Sequence, residues 1–383
     1  MTAPSSSSTG RIWPASAPRR PRWYPSARPP SRTRLASRRP DMTRILIATD
    51  AWEPQVNGVV RTLSSLAQEL RGRGRDVRIV GPSDFRTVAC PTYPEIRLAL
   101  ASADALGRII RDYQPDVIHI ATEGPIGYAA RRAALRTGRP FTTSFHTRFP
   151  EYLSKRAPIP ENLTYALLRR FHAPATACLV PTESMRRTLA GFGFANLVTW
   201  TRGVDRSLFR PQPKVDLGLP GPVFLTVSRV APEKNIETFL DLDLPGSKVV
   251  VGDGPMLPEL RRRYPDVHFA GSQTGEALSR CYAAADVFVF PSLTDTFGIV
   301  LIEALACGVP VAAYPEPGPL DVAGNTKAGC ISSDLREACL AALTLDRADA
   351  LERSLAYSWQ ACADIFLSAT EALQVQPELQ LAG

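Results

Sequence analysis

Apolar positions along the chain follow two alternating rhythms. Short apolar runs, such as Arg44–Thr49 and Val77–Val80, have strand length and are bounded by polar loops or glycine. Between them, Val59, Leu63, Leu66 and Leu70 recur at helical spacing from Gly58 to about Leu70, ending near Gly72 and Gly74. The alternation continues with a helix near 102–112, a strand at Val117–Ile120, a helix near 126–137 and a strand at Phe141–Ser144. A helix near 161–172 and a strand at Ala177–Val180 follow. The stretch 203–222 is rich in Pro and Gly, lacks apolar periodicity and reads as a linker. After it the pattern restarts, with strands at Val223–Val227, Lys248–Val251, Val267–Ala270, Val287–Val289 and Val309–Ala313. Helices are expected near 235–241, 256–263, 276–284 and 298–307, and the end of the chain, about 348–373, reads as helical. Strands alternating with helices predict parallel sheets covered on both faces. The expected fold class is therefore α/β, with two doubly wound domains in tandem and a cleft between them at the carboxyl ends of the strands.

Composition and charge refine this picture. No run of 18 apolar residues occurs, so no membrane-spanning helix is expected. Seven scattered cysteines without a CxxC pair, and four histidines without helical HxxxH spacing, point away from disulfides and zinc and toward a reducing cytoplasm. The net charge of +8 comes from residues 1–41, which hold nine Arg and one acid, Asp41. This segment is also rich in Pro and Ser, so it reads as a disordered basic leader. Met42 heads a sequence that reads as a fresh start. Beyond the leader the halves differ in sign: residues 42–207 hold 23 basic and 14 acidic side chains, and residues 208–383 hold 13 and 22. A basic first half suits an anionic ligand or leaflet. With charge balanced outside the leader and no nucleic-acid motif present, a nucleic-acid partner is not expected.

Candidate chemistry lies where loops follow predicted strands. Phe290–Val311 carries Asp295 in a loop, then a helix beginning near Gly298 with Glu303 past its first turn. A helix N-terminus leaves N–H groups unpaired and favours phosphate. Taken singly, Asp295 and Glu303 also fit a capping acid and a solvated one. Val227–Asn235 brings Arg229 and Lys234, a planar fork and a point charge suited to a diphosphate. Val251-Gly-Asp-Gly-Pro is a weak turn motif. Glu53–Val59 opens a helix at Gly58, and His146 lies just past a strand end in Thr143-Ser-Phe-His-Thr-Arg. Asp241 and Asp243 form a DxD away from these motifs, so no metal is expected. The chain lacks GxGxxG with its acidic ribose partner, which counts against a dinucleotide-dependent oxidoreductase.

In combination and order, these motifs resemble the retaining glycosyltransferases of family 4, over about residues 44–373. The resemblance implies the GT-B fold, with an acceptor-side domain at 42–205, a nucleotide-sugar domain at 206–350, and a helical segment at 351–383 returning to the first domain. It implies a nucleotide diphosphate sugar, UDP- or GDP-linked, as co-substrate and no cofactor. His146 and Asp295 would be catalytic, with Asp295 and Phe297 along the donor sugar. Arg229, Lys234, Gly58, Gly298, Ile299 and Val300 would hold the diphosphate, and Glu303 the ribose. Asp295 stands where many relatives have Glu, and Asn57-Gly58 where many have Gly-Gly. Glu123-Gly-Pro together with Ser144–Tyr152 resembles members that glycosylate diacylglycerol or phosphatidylinositol-type lipids. That implies a lipid acceptor and peripheral attachment to the inner face of the cell membrane, to which 163–172 would contribute an interfacial helix. A soluble sugar or oligosaccharide is the alternative acceptor.

Overall fold

A computed structural model describes residues 42–55, 57–90, 93–148 and 160–371. The leader, Phe149–Tyr152 and residues 372–383 lie outside the described residues.

The first unit runs β1 (Arg44–Ala48), α1 (Gly58–Gly72), β2 (Asp76–Val80), β3 (Thr87–Cys90), β4 (Tyr93–Ala99), α2 (Ala103–Tyr113), β5 (Val117–Ile120), α3 (Pro125–Arg136), β6 (Thr142–Ser144), α4 (Glu161–His172), β7 (Cys178–Val180), α5 (Glu183–Gly191) and β8 (Leu197–Thr199). Its parallel sheet has the order β2-β1-β5-β6-β7-β8. Helices cover both faces, so β5 is buried along its whole length. The second unit runs β9 (Val223–Val227), α6 (Ile236–Leu240), β10 (Ser247–Val251), α7 (Leu257–Arg263), β11 (His268–Gly271), α8 (Gly275–Ala284), β12 (Val287–Phe290), α9 (Ile299–Ala306), β13 (Val311–Ala313), α10 (Pro317–Val322), β14 (Gly329–Ile331), α11 (Leu335–Ala342) and α12 (Arg347–Ser354). Its sheet order, β11-β10-β9-β12-β13-β14, repeats the topology of the first. Strand order reverses between β1 and β5, and between β9 and β12. A doubly wound sheet opens its ligand crevice at these points.

The last described helix, α13 (Trp359–Glu371), packs on the first unit. Cys362, Ala363 and Phe366 share a core with Ile45, Ile47, Leu63 and Leu66. The Trp200 Nε1–H donates to the Cys362 carbonyl at 2.9 Å, and Arg73 pairs with Asp364 at 2.5 Å. The chain thus crosses between the units twice, and the crossings touch. A Cβ at Gly203 would stand 2.3 Å from the Trp359 nitrogen, so glycine is required there.

Several elements differ from the sequence expectation. The antiparallel β3–β4 pair, the three-residue strands β8 and β14, and helices α5, α10 and α11 had no clear signal. The expected terminal helix over 348–373 is two helices, α12 on the second unit and α13 on the first. The 203–222 stretch is no slack linker, because Val204 and Phe209 are buried in the second unit's core.

Candidate active site

The loops after β9 and β12 lie side by side. The Asn235 Nδ2–H donates to the Pro291 carbonyl at 3.1 Å, and the Thr294 hydroxyl to the Glu233 carbonyl at 3.3 Å. Asn235 adopts the left-handed conformation, with φ of 53°, and so turns the chain from a 3₁₀ turn at Pro232–Lys234 into α6. This brings the Lys234 ammonium to 2.7 and 2.8 Å from the two Asp295 carboxylate oxygens. Burial pushes the Asp295 carboxyl up, but Lys234 and the Ser292 hydroxyl outweigh it and hold the group below its ordinary range. The sequence reading gave these side chains to different parts of a ligand; the structure pairs them with each other. Arg229 sits half-buried at the carboxyl end of β9. The turn after β10 closes against it: a Cβ at Gly252 would fall 1.8 Å from the Ser228 carbonyl.

Phe297 is buried, and its ring lies edge-on to Tyr357 at 5.9 Å. Gly298 has φ of +82° and begins α9. Among the described residues no side chain caps α9, so none competes for the first-turn amides near Ile299 and Val300. α1 behaves differently. The Asn57 side chain accepts from the Val59 and Val60 amides, both at 3.0 Å, and takes two donors from the N-terminus at Gly58.

Glu303 is not a solvated acid. α9 reads Ile-Val-Leu-Ile-Glu-Ala-Leu-Ala and is apolar all round, so the helix is interior and Glu303 is fully buried. One carboxylate oxygen accepts from the Tyr282 hydroxyl at 3.0 Å. The other lies 2.5 Å from a guanidinium nitrogen of Arg61, which reaches across the cleft from α1. Arg61 also stacks over Phe209 at 5.4 Å. Desolvation raises the Glu303 carboxyl, and Arg61 and Tyr282 offset part of that rise. Arg61 is a site residue that the sequence reading missed, and no local pattern links it to Glu303.

The first unit contributes His146, half-buried past β6. Its Nε2 is 2.8 Å from the Ser144 hydroxyl and its Nδ1 is 3.3 Å from an Arg202 nitrogen. The His146 carbonyl accepts from the Thr296 hydroxyl at 2.7 Å, so the two motif loops meet across the cleft. Burial first, then Arg202 and His119, keep the imidazole well below its ordinary pKa. Arg148 adds a second bridge, 2.5 Å from Glu316. Asp50, also missed, follows β1 and accepts from the Ile126 and Gly127 amides at 2.8 and 3.2 Å, capping α3. Asp241 accepts from the Tyr264 hydroxyl at 2.6 Å. Among the described residues no group of three His, Cys, Asp or Glu is arranged to hold a metal.

Comparison with known proteins gives this arrangement its lineage. The signature described as Glycosyltransferase Family 4 matches residues 56–208, and that of Glycosyl transferases group 1 matches residues 221–345. The chain is 30% identical to a GDP-mannose-dependent alpha-mannosyltransferase of Mycolicibacterium smegmatis, over 75% of this chain and 84% of that protein. The chain belongs to glycosyltransferase family 4. Among other relatives of this glycosyltransferase is the alpha-monoglucosyldiacylglycerol synthase of Streptococcus pneumoniae, 27% identical over 72% of this chain and 71% of that one. The crystal structure of Anabaena HepE in complex with UDP and glucose superposes with a TM-score of 0.64 and 15% identity. The match covers 86% of this chain and 99% of that one, and it identifies the glycosyltransferase fold as GT-B.

Proposed function

We infer that this glycosyltransferase moves a hexosyl group, with retention, from a UDP- or GDP-linked sugar to a hydroxyl of a membrane lipid. The observation that carries the reading is the 2.7 Å bond from Thr296 to the His146 carbonyl. It joins the loop holding Asp295 to the loop holding His146, so acid, imidazole and the uncapped start of α9 line one cleft. In this reading Arg229, Lys234 and the amides of Gly298, Ile299 and Val300 hold the diphosphate, and Gly58 approaches it from the first domain. Asp295 and Phe297 lie along the sugar, His146 contacts it, and Glu303 holds the ribose. Seating the donor exchanges the Lys234–Asp295 and Arg61–Glu303 pairs for ligand contacts. As the glycosidic bond breaks, charge grows on the diphosphate, where Arg229, Lys234 and the helix amides stabilise it. The acceptor hydroxyl attacks from the same face and gives its proton to the departing phosphate.

A lipid acceptor is favoured by the outer face of α3 and α4. The two helices are joined by a 2.9 Å bond from Arg131 to the Phe171 carbonyl and by edge-on contact of Tyr128 with Phe171 at 4.8 Å. Their exposed surface carries Tyr128, Leu135, Leu163 and Leu167, with Arg132, Arg136, Arg169 and Arg170 among them. Apolar side chains ringed by arginine suit the inner leaflet of a cell membrane, where each cation contributes about 1 kcal/mol. The relative named for diacylglycerol supports the same acceptor class. Among the described residues no helix is long and apolar enough to cross a membrane, so attachment is peripheral in this reading.

The test is release of UDP or GDP from a panel of nucleotide sugars by the full chain. It is run with and without vesicles containing diacylglycerol and anionic lipid. Vesicle-stimulated release from one donor, lost in Leu163→Glu/Leu167→Glu together with sedimentation, is the expected result. Release with soluble sugars alone would remove the lipid.

A further inference from the structure

Arg202 follows β8 at the first crossing between the domains and is buried, with 3% of its surface exposed. Its guanidinium donates to the Trp200 and Thr201 carbonyls at 2.6 and 3.1 Å. It lies 4.4 Å over the Trp200 ring and 6.0 Å from the Phe297 ring of the second domain. Among the described residues no carboxylate pairs with it. Its remaining hydrogen-bond partner among them is Nδ1 of His146, at 3.3 Å. Burying a cation among carbonyls and aromatic faces alone is costly, and a neutral side chain would fill the same space at less cost.

A guanidinium has donors and no acceptor, so the imidazole nitrogen facing it must be the unprotonated one. The ring proton then sits on Nε2 and points to the Ser144 oxygen at 2.8 Å. Ser144 in turn reaches the Ala121 carbonyl at 3.3 Å and His119 Nε2 at 3.1 Å, so its own hydrogen has an acceptor. Protonating Nδ1 would set an N–H against the guanidinium. Among the described residues no carboxylate lies against the ring to relieve that. His146 faces Arg202 and, on β5, the buried His119. On its own loop Arg148 is engaged by Glu316, and across the cleft the Asp295 carboxylate is committed to Lys234.

We propose that Arg202 is a positioning residue that fixes His146 as a neutral imidazole protonated on Nε2, leaving neither ring nitrogen free to act as a base. The proposal rests on the reading that His146 lies beside the donor sugar, with Nδ1 held by Arg202 and Nε2 by the fully buried Ser144. A neutral ring suits that place. An imidazolium there would oppose the positive charge that the sugar gains in the transition state.

The decisive measurement is nitrogen NMR of the full chain labelled at its four histidines, with His146 assigned from the signal missing in His146→Asn. Wild type is expected to show an unprotonated Nδ1 and a protonated Nε2 that hold from pH 8 to pH 5.5. Arg202→Met is expected to mix the tautomers and to titrate at higher pH than wild type, while burial still holds the ring below its ordinary range. Its kcat at pH 6 should fall about tenfold, roughly one 1.4 kcal/mol step, with donor KM little changed and the loss deepening in acid. Arg202→Lys should recover the tautomer and part of the rate. Because wild type alone reports the tautomer, a variant that fails to fold leaves the test intact. A wild-type His146 protonated on Nδ1, or titrating above pH 6, overturns the proposal even when His146→Asn loses turnover. Undiminished turnover in His146→Asn overturns the underlying reading of the site, whatever the spectrum shows.

Discussion

Glu303 shows what one residue's surroundings decide. Desolvation raises the pKa of this fully buried carboxyl, and the Arg61 guanidinium and Tyr282 hydroxyl that face it offset part of the rise. Glu303→Gln preserves the shape and removes the charge. Donor affinity measured by titration calorimetry should fall about 10- to 100-fold, the worth of hydrogen bonds to a charged group. Arg61→Met removes the offset to desolvation, so Glu303 takes up a proton at higher pH than in wild type. Donor binding by that variant should weaken more steeply than wild type as pH falls from 8 to 5.5. His119 is fully buried on β5, and burial followed by Arg202 lowers it to about 3. Below the unfolded value, near 6.5, the unfolded chain binds a proton that the folded chain refuses. This group's stability is therefore present above pH 6.5 and lost progressively as pH falls toward 3. Thermal midpoints should drop across pH 6.5 to 4, with a shallower slope in His119→Asn. The pairing of Arg61 with Glu303 was illegible in the sequence because it joins distant segments. The burial of Glu303 was missed as well, although an acid inside an all-apolar helix has no polar face to occupy.

Elements with long periodic stretches or continuous apolar runs were readable, and the site loops after β1, β6, β9 and β12 followed from them. What escaped detection was short or set by tertiary contact. β8 and β14 have three residues each, too few for a period to register, and gain strand geometry only by pairing with β7 and β13. β3 and β4 form a separate antiparallel pair within an otherwise parallel α/β unit. The start of α9 depends on Gly298, whose φ of +82° disfavours a side chain. A Cβ there would also lie 2.9 Å from Phe290 and 3.0 Å from Leu301. Gly298→Ala should cost about 1–2 kcal/mol in urea unfolding and weaken donor binding further by moving the first-turn amides.

At the scale of the molecule, sequence order and spatial order part company. The second domain is complete at α12, yet the chain goes on to finish the first. Gly203 lies where the two crossings touch, so Gly203→Val should separate them, lowering the thermal midpoint and slowing turnover together. Ending the chain after Ser358 should leave Ile45, Leu63 and Leu66 without Phe366 and yield aggregated protein by size-exclusion chromatography. The late arrival of α13 also sets a timetable for synthesis. Ribosomes add roughly 5–20 residues per second, so the roughly 170 residues between β8 and Phe366 take about 10–30 s. Throughout that interval the nascent first domain carries an uncovered apolar groove, a binding window for chaperones that closes only when the final helix leaves the exit tunnel.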